Sequence, residues 1–237
     1  MEINFAAAKT NKYSVSESGD TLEFIERPNG GISVVLADGQ TSGRGAKSIS
    51  SLVVRKVIAL LSEGVRDGAA ARAASDALFT ERAGKVTACL DILSVDLLTG
   101  TVVISRNTPT PIFIARDDQV ECIGGESQSI GTSRNIRPLI TELPLENGMT
   151  VVIYTDGIHN AGDRYGEPFD LCLLLTGMLE EEEPTAQEIA DTVLNQAIRL
   201  DQNRPNDDMS VLVMRVSSEE SDQIRRMTLR LPVPLVL

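Results

Sequence analysis

Aspartates that follow apolar runs are the residues of this sequence best suited to chemistry. Two segments share one form, VVLADG at 34–39 and VVIYTDG at 151–157, in which an apolar run ends in Asp-Gly. A third aspartate follows a glycine in SGD at 18–20, and a fourth begins the last apolar run, in NDDMSVLV at 206–213. One Asp-Gly after a strand is usually only a turn, but four such positions in this order indicate a shared site.

A divalent metal ion is the natural ligand of such a site. Carboxylates gathered at one edge of a sandwich would repel one another strongly unless cations neutralised them. Hard ions such as magnesium and manganese prefer oxygen ligands of this kind. The glycine after Asp38 and after Asp156 lets the backbone turn sharply and brings a carbonyl near the metal. The pattern therefore predicts a metal centre built from aspartates.

Other kinds of catalytic centre find little support in the residues. His159 is the only histidine, which excludes metal motifs that need two. The loop at 39–46 is rich in glycine, but it lacks the lysine and the spacing of a phosphate-binding P-loop. His159 is a candidate proton donor or water-orienting residue. A capping or solvent-exposed histidine is the simpler interpretation of that position.

The composition limits the partners that the chain can bind. It has 237 residues, 42% of them hydrophobic, and a formal net charge of −12. This acidic balance disfavours nucleic acid and anionic membranes, because both are bound through clustered Lys and Arg. No apolar run is long enough to span a membrane, and MEINFAAAKT is not typical of a signal peptide. Three widely spaced cysteines without C-x-x-C indicate reduced thiols in a cytoplasmic protein.

Strand patterns place the aspartates at the ends of β-elements. Short alternating and β-branched runs predict strands before residue 40, including KYSVSE at 12–17. A second β-rich block covers 86–154, with Asp117-Asp118 at one of its hairpin turns. DMSVLVMRV at 208–216 predicts the closing strand. The four acidic positions can therefore meet at one edge of a β-sandwich.

Helical patterns lie between and after these β-blocks. Apolar residues at helical spacing predict helices over 45–62 and 68–83. Two further helical pieces are predicted within 168–200, with Thr185 as the N-cap of the second. The order is not a strict alternation of strand and helix, which argues against a doubly wound parallel sheet. We predict an α+β fold, a four-layer α-β-β-α sandwich of two antiparallel sheets flanked by helix pairs.

The motif order is similar to that of a known enzyme family. SGD, VVLADGxxxGxxA, VVIYTDG and DDMSVLV together resemble the metal-dependent serine/threonine phosphatases, the PPM family, and within it the SpoIIE-like branch. The resemblance runs from about residue 12 to residue 216. It implies a single phosphatase domain over 1–216 and a C-terminal tail or appended strand over 217–237.

The resemblance also implies the composition of the active site. It assigns a centre of two divalent ions, manganese or magnesium, in which Asp38 bridges the metals. The implied ligands are Asp20, Asp38, Gly39 through its carbonyl, Asp156 and Asp207, with Asp208 less favoured than Asp207. A water activated by the metals would attack phosphorus in line. Asp38 and Asp156 would thus act in catalysis through the metals.

The implied substrate is a phosphorylated regulatory protein. The chain is most similar to stand-alone RsbX-like feedback phosphatases, which implies phosphoserine or phosphothreonine of STAS-domain proteins in a stressosome. A free STAS anti-anti-sigma factor, a small phosphoester, and a pseudophosphatase that binds without turnover remain open. Two segments depart from the branch, DGQTSG at 38–43 and NTPT at 107–110. These departures affect substrate contacts, for which Arg44 is a candidate although an exposed arginine is the simpler interpretation.

Overall fold

Ten antiparallel strands in two sheets form the centre of the protein. The computed structural model describes residues 1–116, 119–181, 183–218, 222 and 224–232. Within them the strands are β1 (Glu2–Thr10), β2 (Asp20–Glu26), β3 (Ile32–Gly39), β4 (Ala88–Asp96), β5 (Thr101–Asn107), β6 (Ile112–Arg116), β7 (Gln119–Ile123), β8 (Leu139–Pro144), β9 (Thr150–Tyr154) and β10 (Met209–Ser217). One sheet has the order β2-β3-β4-β5-β8 and the other β1-β10-β9-β6-β7.

Helices cover the outer face of each sheet. They are α1 (Gly43–Ser62), α2 (Asp67–Arg82), the short α3 (Asp156–His159), α4 (Leu171–Glu181) and α5 (Ala186–Leu200). The first two pack on the β2-containing sheet, and α4 and α5 pack on the other. None of the helices in the described ranges has the length and apolar character needed to cross a membrane. The predicted four-layer sandwich is therefore confirmed.

The alternation of side chains along β3 explains the layers. Val34 and Leu36 belong to the core between the two sheets, while Val35 and Ala37 pack under α1 and α2. Successive side chains of a strand point to opposite faces, so a strand covered on both sides must be apolar at every position. The run VVLA meets this requirement and carries Asp38 to the end of the strand.

The start of α5 is fixed by a capping box. The Thr185 hydroxyl accepts a hydrogen bond from the Glu188 backbone N–H at 3.2 Å. In return, Glu188 Oε2 accepts one from the Thr185 backbone N–H at 2.7 Å. These two bonds satisfy backbone donors that a helix start would otherwise leave without partners. Thr185 is therefore the N-cap, as predicted.

Residues 12–17 do not form the predicted strand. Residues 11–19 form turns and bends instead. The Lys12 backbone N–H donates to the Asp208 carboxylate, and Asn11 Nδ2 donates to the Val15 carbonyl. These side-chain partners replace the neighbouring strand that a ladder would need. The prediction was wrong because local alternation cannot reveal such distant partners.

The C-terminal segment adds no strand in its described part. Strand β10 ends at Ser217, and residues 218, 222 and 224–232 have neither helix nor strand. Arg225 forms an ion pair of 3.0 Å with Glu26 on β2. The predicted turn residues Asp117 and Asp118 lie outside the described residues.

The three cysteines are free thiols. Cys89 and Cys172 are partly buried, while Cys122 on β7 is exposed. No disulfide constrains the part of the chain that the structure describes.

Candidate metal centre

Asp20 and Asp38 lie side by side at one end of the first sheet. They are register partners at the start of β2 and near the end of β3. Asp20 is fully buried, whereas Asp38 remains partly exposed. Directly opposite residues of an antiparallel pair share a face. Both carboxyl groups therefore point toward the interior between the sheets, where Leu36 and Val34 continue the same face.

The second sheet brings its aspartates to the same end. Asp156 begins α3 directly after β9, and Asp207 precedes β10, which pairs with β9. The Thr155 backbone N–H donates to the Ser210 carbonyl at 3.0 Å, which holds these two strand ends together. The charges of Asp20, Asp156 and Asp207 all act on Asp38. Four aspartates that are distant in sequence thus form one acidic cluster.

Burial and mutual repulsion give these carboxyl groups unusual proton affinities. Burial, followed by the negative charges of Asp20, Asp156 and Asp207, raises the pKa of Asp38 to about 10. Burial also raises the pKa of Asp20 to about 6, although the hydrogen bond from Ser210 opposes that shift. Burial raises the pKa of Asp207 as well. Such a cluster holds its full negative charge only when cations compensate it.

The donor set fits a hard divalent cation. Asp20 Oδ2 accepts hydrogen bonds from Ser210 Oγ at 2.6 Å and from Thr155 Oγ1 at 3.2 Å. Asp20 Oδ1 is buried without a hydrogen-bond partner. A buried carboxylate oxygen without a hydrogen-bond donor normally binds some other partner. Together with three neighbouring carboxylates it offers the all-oxygen environment that magnesium and manganese prefer.

The carboxylates lie close together but do not yet have the arrangement of a complete metal-coordination site. In the described ranges, no three His, Cys, Asp or Glu side chains already converge as a metal site requires. The negative charge of Asp20 instead acts on Asp38 from the opposite strand, so the two carboxyl groups repel each other until a cation or a proton compensates them.

The glycines after the two aspartates allow close backbone packing. A Cβ on Gly39 would lie 2.1 Å from the Ala46 carbonyl oxygen of α1, and one on Gly157 would lie 2.1 Å from the Asp208 carbonyl oxygen. Neither glycine has a positive φ. These two positions therefore require glycine because a second chain segment approaches closely. The sharp backbone turn expected from the sequence is not the reason. The Gly39 carbonyl as a metal ligand stays a prediction.

Asp208 has a different environment from Asp207. Its Oδ1 accepts from the Lys12 backbone N–H at 2.9 Å, and its Oδ2 accepts from the Gly19 backbone N–H at 2.8 Å. Asp208 is buried and holds the loop that leads to Asp20. Asp207 is partly exposed and faces the acidic cluster. Asp208 therefore positions the loop before Asp20, whereas Asp207 is partly exposed and faces the acidic cluster.

Several residues around Asp20 were not identified from the sequence. Thr155 and Ser210 bind its carboxylate, and both stand inside the quoted segments VVIYTDG and DDMSVLV. Lys9 and Lys47 donate from Nζ to the Asp20 carbonyl oxygen, at 3.0 and 2.8 Å. Position next to the motif aspartates could have indicated the hydroxyl groups. No sequence signal connects the two lysines with Asp20.

His159 and Arg44 lie at the periphery of the cluster. The exposed His159 ring is 6.2 Å from the Tyr154 ring and lines a largely apolar cavity of about 310 Å³. Its imidazole makes no hydrogen bond within the described residues. Arg44 is exposed in the first turn of α1. Both positions match the simpler interpretations, although a role for either residue in the reaction stays untested.

The chain has relatives among sporulation proteins. Residues 28–217 match the family described as Stage II sporulation protein E (SpoIIE). The Stage II sporulation protein E of Bacillus subtilis (strain 168) is 26% identical over 216 residues. That match covers 90% of this chain but 26% of the relative. The chain thus spans about a quarter of that relative's length.

Solved structures share the fold. The PP2C phosphatase domain of SpoIIE from Bacillus subtilis, with a fragment of its regulatory domain, superposes with a TM-score of 0.78 at 24% identity, covering 91% of this chain and 64% of that one. The phosphatase PstP with two manganese ions gives 0.70 at 16% identity, covering 91% and 99%. RsbX with magnesium gives 0.68 at 15%, covering 91% and 96%. The chain belongs to the SpoIIE family and has the fold of PP2C-type phosphatase domains.

Proposed function

We propose that this protein hydrolyses phosphoserine or phosphothreonine on another protein with the help of divalent metal ions. The observation that carries this proposal is the acidic cluster, in which burial and three neighbouring carboxylates raise the pKa of a fourth, Asp38. A cluster of this kind needs cations, and membership of the SpoIIE family supports phosphate ester hydrolysis as its chemistry. No nucleophilic side chain is required, because water can serve as the nucleophile.

Each residue of the cluster has a defined part in this proposal. The ligands of two manganese or magnesium ions would be Asp20, Asp38, the Gly39 carbonyl, Asp156 and Asp207. Ions bound there supply Lewis acidity, which activates water and offsets charge on the phosphoryl oxygens. Ser210 and Thr155 orient Asp20 through Oδ2 and leave its Oδ1 for a further partner. Asp38 and Asp156 contribute from the two sheets, so that both sheets fix the distance across the site.

Phosphate release from para-nitrophenyl phosphate and from a phosphoserine protein, at increasing manganese concentration, tests the proposal. We expect turnover that requires the metal and is abolished by Asp38→Asn or Asp156→Asn. Asp163→Asn is a matched control, because Asp163 is an exposed aspartate seven residues after Asp156. Circular dichroism should show an intact fold in all three variants. Wild-type protein that binds manganese but releases no phosphate would indicate a pseudophosphatase.

The proposed substrate is a phosphorylated STAS-domain protein of a stress-response pathway. The resemblance of the sequence to RsbX-like phosphatases supports this choice, as does the shared fold. The free thiols support a reducing, cytoplasmic location for the reaction. Rates on a phosphorylated stressosome STAS protein, a free STAS anti-anti-sigma factor and an unrelated phosphoprotein should be compared. Equal kcat/KM values on all three would contradict STAS specificity.

A further inference from the structure

We propose that a polar pocket beside the acidic cluster binds acidic residues that flank the phosphorylated residue of a protein substrate. This inference rests on the proposed phosphatase function and concerns the selection of its substrate. The pocket has a volume of about 540 Å³ and is formed by loop 124–138, between β7 and β8. Its lining includes Arg134 and Arg137, the hydroxyl groups of Ser127 and Ser133, and a single carboxylate, Glu126.

The pocket lies within a short distance of the candidate metal centre. Cys89 on β4 is the register partner of Asp38, and its Sγ is 3.4 Å from Ser129 Oγ in the loop. One residue earlier on β4, Ala88 forms an antiparallel bridge with Ile130. Neighbouring strands are about 4.8 Å apart, so the loop backbone at Ile130, between the two halves of the pocket lining, is roughly 10 Å from the β3 backbone beside Asp38. Pocket and cluster thus occupy the same end of the first sheet.

One side of the loop is attached to the end of β5. Asn107 Nδ2 donates to the Gln128 carbonyl at 3.2 Å. Ser127 Oγ donates to the Arg106 carbonyl at 2.9 Å. Both Arg106 and Asn107 are buried, so they are rigid anchors. The pocket wall is therefore fixed before a substrate arrives, which lowers the entropic cost of binding.

The other side of the loop is attached to α2. The Asn135 backbone N–H donates to Asp76 Oδ1 at 3.4 Å. The Arg134 guanidinium lies over the Phe79 ring, 4.9 Å from its centroid. A guanidinium stacked on an aromatic face is held in position and still directs its N–H groups outward. Arg134 is thus oriented for a planar anion such as a carboxylate.

The charges of the pocket define the chemistry of its partner. Arg134 and Arg137 are exposed, and within the described residues neither forms an ion pair. The chain as a whole carries a net charge of −12, so these two exposed arginines are a local concentration of positive charge on an acidic chain. They offer compensation for carboxylates that the acidic surface would otherwise repel. An acidic segment next to the phosphoserine fits this arrangement.

The distance gives the position of the acidic residues. An extended peptide advances about 3.3 Å per residue, so roughly three residues cover the 10 Å between Asp38 and the loop. With the phosphoserine at the acidic cluster, a Glu or Asp three or more positions away would reach the loop that carries Arg134 and Arg137. Exposed ion pairs are weak, so two of them predict a preference of at most about thirtyfold in kcat/KM.

Matched phosphopeptides test this subsite. One peptide set carries Glu at positions three to six before or after the phosphoserine, and the other carries Ala at the same positions. We expect wild-type protein to prefer the Glu peptides, and Arg134→Ala/Arg137→Ala to lose most of this preference. Activity of that variant on the Ala peptides and on para-nitrophenyl phosphate should stay unchanged. Arg55→Ala/Arg199→Ala, which removes two exposed arginines of α1 and α5, should keep the wild-type preference.

The outcomes separate this inference from the proposed function. Equal kcat/KM for Glu and Ala peptides, or a preference that survives in Arg134→Ala/Arg137→Ala, would overturn the subsite while leaving the phosphatase intact. If para-nitrophenyl phosphate and every peptide resist hydrolysis, the proposed function fails. Fluorescence anisotropy with a labelled Glu peptide then decides the subsite. Weaker binding to Arg134→Ala/Arg137→Ala would support it, and unchanged binding would overturn it.

Discussion

Asp20 and Asp38 stand directly opposite each other across β2 and β3. The Cβ atoms of such a pair are about 4.5–5.5 Å apart, and like charges at that separation destabilise a sheet. Asp20 is fully buried, so water cannot screen the repulsion. The arrangement therefore becomes favourable only when a proton or a cation lies between the two carboxyl groups.

Asp207 and Asp208 should respond differently to the same substitution. Asp208→Asn should lower the free energy of unfolding by about 2–3 kcal/mol, because it weakens a buried hydrogen bond from the Gly19 backbone N–H and a partly buried one from the Lys12 backbone N–H. Asp207→Asn should change the stability of metal-free protein by less than about 0.5 kcal/mol. Urea unfolding in the presence of a chelator measures both values.

The same two variants should show the reverse order in metal binding. Manganese should raise the melting temperature of wild-type protein, and Asp207→Asn should lose most of this increase. Manganese should still raise the melting temperature of Asp208→Asn measurably, although this variant melts at a lower temperature without metal. If Asp208→Asn alone lost the response to manganese, Asp208 rather than Asp207 would be the ligand.

Ser210→Ala should weaken metal binding through Asp20. Ser210 Oγ donates to Asp20 Oδ2 at 2.6 Å and restrains the carboxylate. Loss of an orienting hydrogen bond to a metal ligand typically lowers metal affinity 10- to 100-fold. Isothermal titration with manganese measures the change.

A buried serine elsewhere provides the control for that variant. Ser94 Oγ is 2.6 Å from Ser33 Oγ within the same sheet, far along β4 from the acidic cluster. Ser94→Ala should cost about 1 kcal/mol in stability and leave the manganese affinity unchanged. Equal affinities for Ser210→Ala and wild-type protein would exclude Ser210 as a positioning residue.

Asp91→Asn should remove part of the pH dependence of stability. Burial raises the pKa of Asp91 to about 7, and Arg106, its register partner on β5, only partly opposes the shift. Since the folded pKa is above the unfolded value, the stabilising contribution is complete below about pH 4 and is lost as pH rises through 7. Between pH 5 and pH 8, wild-type protein should lose on the order of 2 kcal/mol relative to Asp91→Asn.

Urea unfolding of both proteins at several pH values gives this difference directly. The other carboxyl groups titrate in both proteins, so their contributions cancel in the comparison. Parallel stability curves for the two proteins would show that Asp91 does not titrate in this range.

Gly157→Ala should disrupt the candidate metal centre. The added Cβ would lie 2.1 Å from the Asp208 carbonyl oxygen, so β10 and α3 would have to separate. A clash with backbone costs at least 1–3 kcal/mol, as overpacking does. Thermal unfolding should show a clearly lower melting temperature and a loss of the manganese effect.

Gly177→Ala is the matched control for this clash. Gly177 lies inside α4, and nothing lies within 4 Å of the position of an added Cβ. Alanine stabilises a helix interior by about 0.5–1 kcal/mol relative to glycine, so the melting temperature should rise slightly. A similar decrease in both variants would argue against close packing at Gly157.

Local patterns in the sequence were sufficient for most of the fold. Helices α1 and α2 and the start of α5 follow from apolar spacing and from the Thr185 capping box, which depend on neighbouring residues only. Strand β3 could be predicted because burial on both faces requires a continuous apolar run. KYSVSE was misassigned because the partner of Lys12 is Asp208, which is 196 residues away.

The sequence by itself predicted which aspartates come together, since Asp38 and Asp156 follow apolar strands and recur in one form. Only the tertiary structure decided how the cluster works. It placed the Ser210 and Thr155 hydroxyl groups on Asp20, used Asp208 to hold a loop, and stacked Arg134 on Phe79. The physical reason is that strand character is encoded over a few neighbouring residues. Hydrogen bonds and repulsion between distant residues exist only once both sheets have packed.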